Sequence, residues 1–135
     1  MRALADTSAL LALARRGDQH HSEASTLADA WLAAGNRFVG TVHILGELHS
    51  HLLYLRGPGP ARTALRHLLA DPAHEWFDVG CELVGEAIVN WLERYDDQPF
   101  SLIDAVSFET MRRERVTHAF AFDHHFEIAG FELLR

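Results

Sequence analysis

Four acids, Asp6, Glu47, Asp104 and Asp123, stand where carboxylates from distant parts of the chain can work together. Asp6 ends a short apolar run, and Asp123 follows another. Glu47 lies in "VHILGELHSHLLYL", beside the stripe made by Ile44, Leu45, Leu48, Leu52 and Leu55, so it can face inward at the end of a sheet. Asp104 falls in the first turn of the helix that Ser101 would begin. Carboxylates gathered in one place repel one another, and burial raises the cost. Hard divalent cations relieve it: Mg²⁺ and Mn²⁺ take oxygen ligands and keep waters for substrate phosphates. A cation held this way can activate water and stabilise in-line displacement at a phosphodiester. Thr7 and Ser8 add hydroxyls beside Asp6, suited to orienting a carboxylate or a water.

Each acid also has a purely local use. Asp6 suits a helix N-cap. Asp104, three residues after Ser101, completes the S-x-x-D pattern of a capping box. Asp123 suits a polar turn, and a helical glutamate ordinarily faces solvent. No single acid makes a site; one fold that brings all four together would.

The elements around them supply such a fold. Residues Arg2–Ala5 read as a strand, and Asp6-Thr7-Ser8 cap a helix "ALLALARRG" that stops at Gly17. A second helix covers about 19–34, "RFVG" is a strand, and Thr41 caps the long helix that carries Glu47. "RGPGP" breaks the chain before a helix over about 61–69. "HEWFDV" is a strand, about 82–94 a helix, "DDQP" a loop and 101–114 a helix. "THAFAF" is a strand, "DHH" a turn and "FELL" a last strand. Strands alternating with helices imply one α/β domain over residues 1–135, with a central, mainly parallel sheet flanked by helices. Functional groups of such sheets gather beyond the carboxyl ends of the strands, where Asp6 and Asp123 fall.

Composition narrows the partners. The chain has 135 residues, 48% hydrophobic and 23% charged, as a soluble globular domain does. Twelve basic against 19 acidic residues give a net charge of −7, which argues against a general nucleic-acid coat protein but not against a nuclease whose carboxylates hold cations. The lone Cys81 excludes an internal disulfide, fits a reducing cytoplasm and reads as a buried residue without a dedicated base. No apolar stretch reaches the ~18 residues of a membrane span, and the first residues lack a signal-peptide pattern.

Of the 10 histidines, His43 and His51 flank Glu47 at four-residue steps, a loose echo of helical metal motifs without the H-E-x-x-H spacing. His124 and His125, beside Asp123, are candidates to touch a substrate phosphate. Arg112, Arg113 and Arg115 suit a helix C-terminus and, with Arg62 and Arg66, are candidates for RNA backbone contact. Asp97 reads as a loop residue, with an outer-shell role as its alternative. Trp31, Trp76 and Trp91 read as core or interface residues.

"ADTSALLAL", "TVHILGELHS", "YDDQPFSLIDAVSFETM" and "AFAFDHHFEIAGFELL" together resemble the motifs of PIN-domain proteins, specifically VapC-type toxins of toxin–antitoxin pairs. The resemblance runs nearly end to end. It implies an Mg²⁺- or Mn²⁺-dependent endoribonuclease with Asp6, Glu47, Asp104 and Asp123 as the acidic residues. Asp6 and Asp104 would be the surest metal ligands, and Glu47 would complete the pocket and bind a second ion or orient the water. It further implies a homodimer and a cognate antitoxin that covers the acidic groove. A basic inhibitor segment suits the net charge, since Arg pairs bidentately with carboxylates. Family members commonly have Thr or Ser two residues before the last acid, where this chain has Ala121. The alternative is a PIN-like RNA- or partner-binding protein with weak or no turnover.

Overall fold

In the computed structural model, which describes Met1 to Arg135, the opening run Arg2–Ala5 is strand β1, and Ala3, Leu4 and Ala5 are wholly buried. A strand covered on both faces needs such an unbroken apolar run. Helices α1 (Thr7–Ala14) and α2 (His21–Ala33) lead to β2 (Arg37–Thr41), and α3 (Val42–Arg56) and α4 (Pro58–Ala70) lead to β3 (His74–Phe77). Helix α5 (Cys81–Ala87), a π-helical stretch Ile88–Glu93 and α6 (Leu102–Glu114) lead to β4 (His118–Phe120). Helix α7 (His125–Ile128) precedes β5 (Glu132–Leu133). All pairings are parallel, in the order β3-β2-β1-β4-β5.

That order positions the site. The chain builds from β1 outward through β2 and β3, then returns to add β4 and β5 on the other side of β1. Connections leaving β1 and β4 therefore diverge, and a crevice opens beyond their carboxyl ends. Asp6 and Asp123 stand in the segments that follow these two strands.

Packing explains where the sequence-based boundaries move. Asp6 accepts a hydrogen bond from Ser8 N at 3.3 Å, so α1 starts at Thr7, and it ends at Ala14 because Arg15 turns extended. Strand β4 stops at Phe120 rather than running to residue 122. Asp6 N donates to Phe120 O at 2.9 Å, and the next bond, from Phe122 N, goes to Ser8 Oγ at 3.1 Å. "DHH" is not a plain turn: His125 N bonds Asp123 Oδ1 at 2.9 Å and α7 follows at once. Gly57, at φ 87°, alone makes the break between α3 and α4, and Pro58 and Pro60 are already helical. Leu55 is 40% exposed, whereas Ile44, Leu45, Leu48 and Leu52 are buried as their spacing predicts. Cys81 is exposed, not buried, because α5 fully buries only Ala87 and its first two residues, Cys81 and Glu82, face solvent. Trp91 is buried, and Trp31 and Trp76 pack against the core.

Helix α6 is the core's central element, buried continuously from Asp104 to Met111. Within it Glu109 has no exposed side-chain surface. Its carboxylate accepts from Asn90 Nδ2 at 3.1 Å, Trp91 Nε1 at 3.0 Å, Arg112 Nε at 3.1 Å and Arg113 Nε at 3.0 Å. Burial pushes this carboxyl up, but the bonds from Arg112, Asn90, Arg113 and Trp91 outweigh it and hold it at about 2. Glu109 thereby ties the π-helical stretch to α6, the helix that presents Asp104, and occupies two of the arginines considered for RNA contact.

Candidate active site

Asp6 is delivered by the end of β1 and held by the start of α1. Ser8 Oγ donates to Asp6 Oδ2 at 2.8 Å while accepting from Phe122 N, so one hydroxyl joins this acid to the segment after β4. The neighbouring Thr7 Oγ1 is buried with no hydrogen-bond partner. Asp6 is 6% exposed, and its carboxyl is pushed up to about 6. Burial is the main cause; bonds from Ser8 oppose it, and the charges of Asp104 and Glu47 add to it. That repulsion is the electrostatic trace of an acid before α1 lying near acids carried by α3 and α6.

Asp104 is fixed by its capping box: Ser101 N donates to Asp104 Oδ2 at 3.1 Å, and Asp104 N donates to Ser101 Oγ at 3.0 Å. The same Oδ2 lies 3.2 Å from His125 Nδ1, and that nitrogen is 3.4 Å from Asp123 Oδ1. One ligand atom from each of Asp104, Asp123 and His125 falls within 4.8 Å of the others. Asp6, Asp104 and Asp123 each commit one oxygen to these bonds, leaving Asp6 Oδ1, Asp104 Oδ1 and Asp123 Oδ2 free. Free carboxylate oxygens, a carboxyl raised by burial with neighbouring charges adding to it, and an orphaned hydroxyl fit a hard divalent cation, which would take the oxygens and quench the repulsion.

Glu47 is half-buried and lines an open cleft of about 790 Å³ along α3 with His43, Ser50, His51 and Tyr54, which is 90% exposed. The four-residue steps put His43, Glu47 and His51 on this one surface, but they do not converge as a three-ligand metal group. His124 is 75% exposed beside Asp123 and open to a substrate. His125 is turned inward to the acids instead. Asp97, Arg62 and Arg66 are exposed, and Arg115, in the left-handed conformation at φ 56°, caps the opposite end of α6 from Asp104.

The chain matches the PIN domain family over residues 3–132. It belongs to the PIN domain family. It is 33% identical over 130 residues to proteins of two Mycobacterium tuberculosis strains named 23S rRNA-specific endonuclease VapC20, covering 96% of this chain and 95% of theirs. The crystal structure of Mycobacterium tuberculosis VapC20, described as a Sarcin-Ricin loop cleaving toxin, superposes with a TM-score of 0.84 at 31% identity. That alignment covers 96% of this chain and 95% of the other. VapBC2 from Rickettsia felis bound to a promoter DNA fragment aligns at a TM-score of 0.69 and 15% identity over 98% and 97% of the two chains. FitAcB from Neisseria gonorrhoeae aligns at 0.66 and 14% over 100% and 97%. These last two likenesses carry the fold.

Ala121 is buried against the core, and Ser8 Oγ tethers the following residue, Phe122, to Asp6. Two residues escaped the sequence reading: His125 as the link between Asp104 and Asp123, and Glu109 beneath α6. For His125 the signal was present in the D-x-H spacing, since an aspartate bonding the backbone two residues on folds that residue back beside it.

Proposed function

We propose that this PIN-domain protein is a divalent-cation-dependent endoribonuclease and the toxin of a toxin–antitoxin pair. The observations that carry the reading are the grouping of Asp104, Asp123 and His125 within 4.8 Å and the charges of Asp104 and Glu47 acting on Asp6, in a chain alignable almost end to end with a protein named as a 23S rRNA endonuclease. Asp6, Asp104 and Asp123 hold Mg²⁺ or Mn²⁺, and Glu47 completes the pocket, receiving a second ion or orienting the attacking water. When bound, the cation neutralises phosphate charge and makes water a better nucleophile.

The chain's own residues set the geometry. Ser8 and the capping box fix Asp6 and Asp104 before substrate arrives, which removes reorganisation from the reaction. The cleft along α3 leads RNA to Glu47, with Tyr54 offering a ring on which a base can stack. Structured rRNA of the kind VapC20 is named for is the first substrate to try. The reading also includes a homodimer acting in the cytoplasm and a basic antitoxin segment over the acids. No helix is long and apolar enough to cross a membrane.

The test is cleavage of 23S rRNA fragments by purified protein in Mn²⁺ or Mg²⁺, with the ends mapped. Discrete cuts that vanish in EDTA and in Asp104→Asn are expected. Equal cleavage by that variant, or none by wild type in either metal, would overturn the reading.

A further inference from the structure

We propose that His125 is the positioning residue that aligns Asp104 and Asp123 for the cation, a role that rests on the metal-dependent reading above. Two carboxylates from separate elements meet at one ring nitrogen. Asp104 Oδ2, on the first turn of α6, is 3.2 Å from His125 Nδ1; Asp123 Oδ1, before α7, is 3.4 Å from it. A hydrogen on Nδ1 is a donor for Asp104 Oδ2, and the same nitrogen stands at ion-pair distance from Asp123 Oδ1.

The ring is held for this task. His125 N donates to Asp123 Oδ1 at 2.9 Å, which fixes the backbone under the imidazole. Phe100 meets the ring edge-on, with centroids 5.3 Å apart and planes at 72°. Phe100 itself is buried and packs on Phe108 of α6, so the ring is referenced to the helix that carries Asp104. The imidazole is 18% exposed, unlike His124 at 75%, so adjacent histidines are sorted into one facing the acids and one facing solvent.

The contacts made by His125 fall on the oxygens already used by local structure. Asp104 Oδ2 also accepts from Ser101 N, and Asp123 Oδ1 from His125 N. Holding those oxygens fixes the direction of the free ones, Asp104 Oδ1 and Asp123 Oδ2. The imidazole therefore acts through the carboxylates as an outer partner of the metal site rather than as a ligand. Loss of an outer partner of this kind typically lowers metal affinity about 10–100-fold.

Mn²⁺ binding by calorimetry and by electron paramagnetic resonance tests this on the full chain. His125→Ala should weaken Mn²⁺ binding about 10–100-fold. His125→Asn, whose amide nitrogen can stand near the Nδ1 position as a donor, should stay within about 3-fold of wild type. No nitrogen hyperfine coupling to Mn²⁺ should depend on His125. Wild-type affinity in His125→Ala, an Asn variant as weak as the Ala variant, or a nitrogen coupling that vanishes with His125 would each overturn the positioning role. If wild type binds no Mn²⁺ at all, the metal-dependent reading fails first. Melting temperatures in EDTA show whether either variant is folded, and the comparison rests on the Asn variant if the Ala variant is not.

Discussion

Removing the charge of Asp6 should stabilise the metal-free protein while abolishing its function. Folding carries this carboxyl from an ordinary 3.8 to about 6, chiefly through burial. A shift of roughly 2 units is worth about 3 kcal/mol at ~1.4 kcal/mol per unit. The folded state binds the proton more tightly than the unfolded state, so stability falls as pH rises between about 4 and 6, then levels off. Asp6→Asn never ionises, and its side-chain oxygen can still accept from Ser8 N. In EDTA at pH 7.5 the variant should be more stable by about 2–3 kcal/mol, or roughly 10 °C in melting temperature for a chain of this size. At pH 4 the advantage should vanish. Mn²⁺ should raise the wild-type melting temperature at pH 7.5, because a ligand specific to the native state stabilises it by mass action, and should leave the variant unmoved. An Asn variant no more stable than wild type at pH 7.5, or equally advantaged at pH 4, would refute the reasoning.

Two further substitutions test how the site is supported. Glu109→Gln should destabilise by about 3 kcal/mol at pH 7, the value of lowering a carboxyl from 4.5 to about 2. Because that folded value is depressed, the wild-type contribution is complete above about 4.5 and lost as pH falls through about 2, so urea midpoints of the two proteins should converge in acid. Gly40→Ala should cost about 1–3 kcal/mol, since a Cβ there would lie 2.5 Å from Trp76 Cζ3 of the neighbouring strand; an unchanged melting temperature would show that the indole moves aside freely.

The parallel sheet was legible in the sequence because its strands are short apolar runs separated by capped helices, and every expected strand exists. Their ends were less legible, for a physical reason visible at β4. Residues Ala121 and Phe122 keep the apolar pattern of a strand, yet Ser8 Oγ captures the Phe122 amide and peels the chain away. The contact joins residues 114 positions apart, and no local pattern contains it. The acids were readable in place but not in coupling. Spacing put Glu47 on an inner-edge helix face, whereas the repulsion among Asp6, Asp104 and Glu47 exists only once α1, α3 and α6 are assembled. Glu109 was unreadable for a similar reason. A glutamate before two arginines looks like a solvated helix face, and only the indole of Trp91 and the amide of Asn90, reaching in from the π-helical stretch, make it a core residue.

Capping and catalysis are compatible uses of one carboxylate. The group has two oxygens and about four lone-pair directions, and a helix cap consumes one side of it. At Asp6 and Asp104 the cap is taken by Oδ2, which leaves Oδ1 aimed by the same geometry that begins the helix. The helix start is in turn tied to the sheet, since Asp6 N bonds Phe120 O. Direction thus passes from strand pairing to helix start to carboxylate, without long flexible side chains. The positive end of each helix also favours the ionised acid there by roughly 0.3–1 kcal/mol. At Asp6 this is too little to offset burial and the neighbouring charges, and the carboxyl stays raised. The remaining strain can be relieved by a proton or by a cation, and the proton binds only as pH falls towards about 6. Near neutrality a cation would have the advantage, so the cost of keeping Asp6 buried and charged beside other acids would itself drive the proposed metal binding.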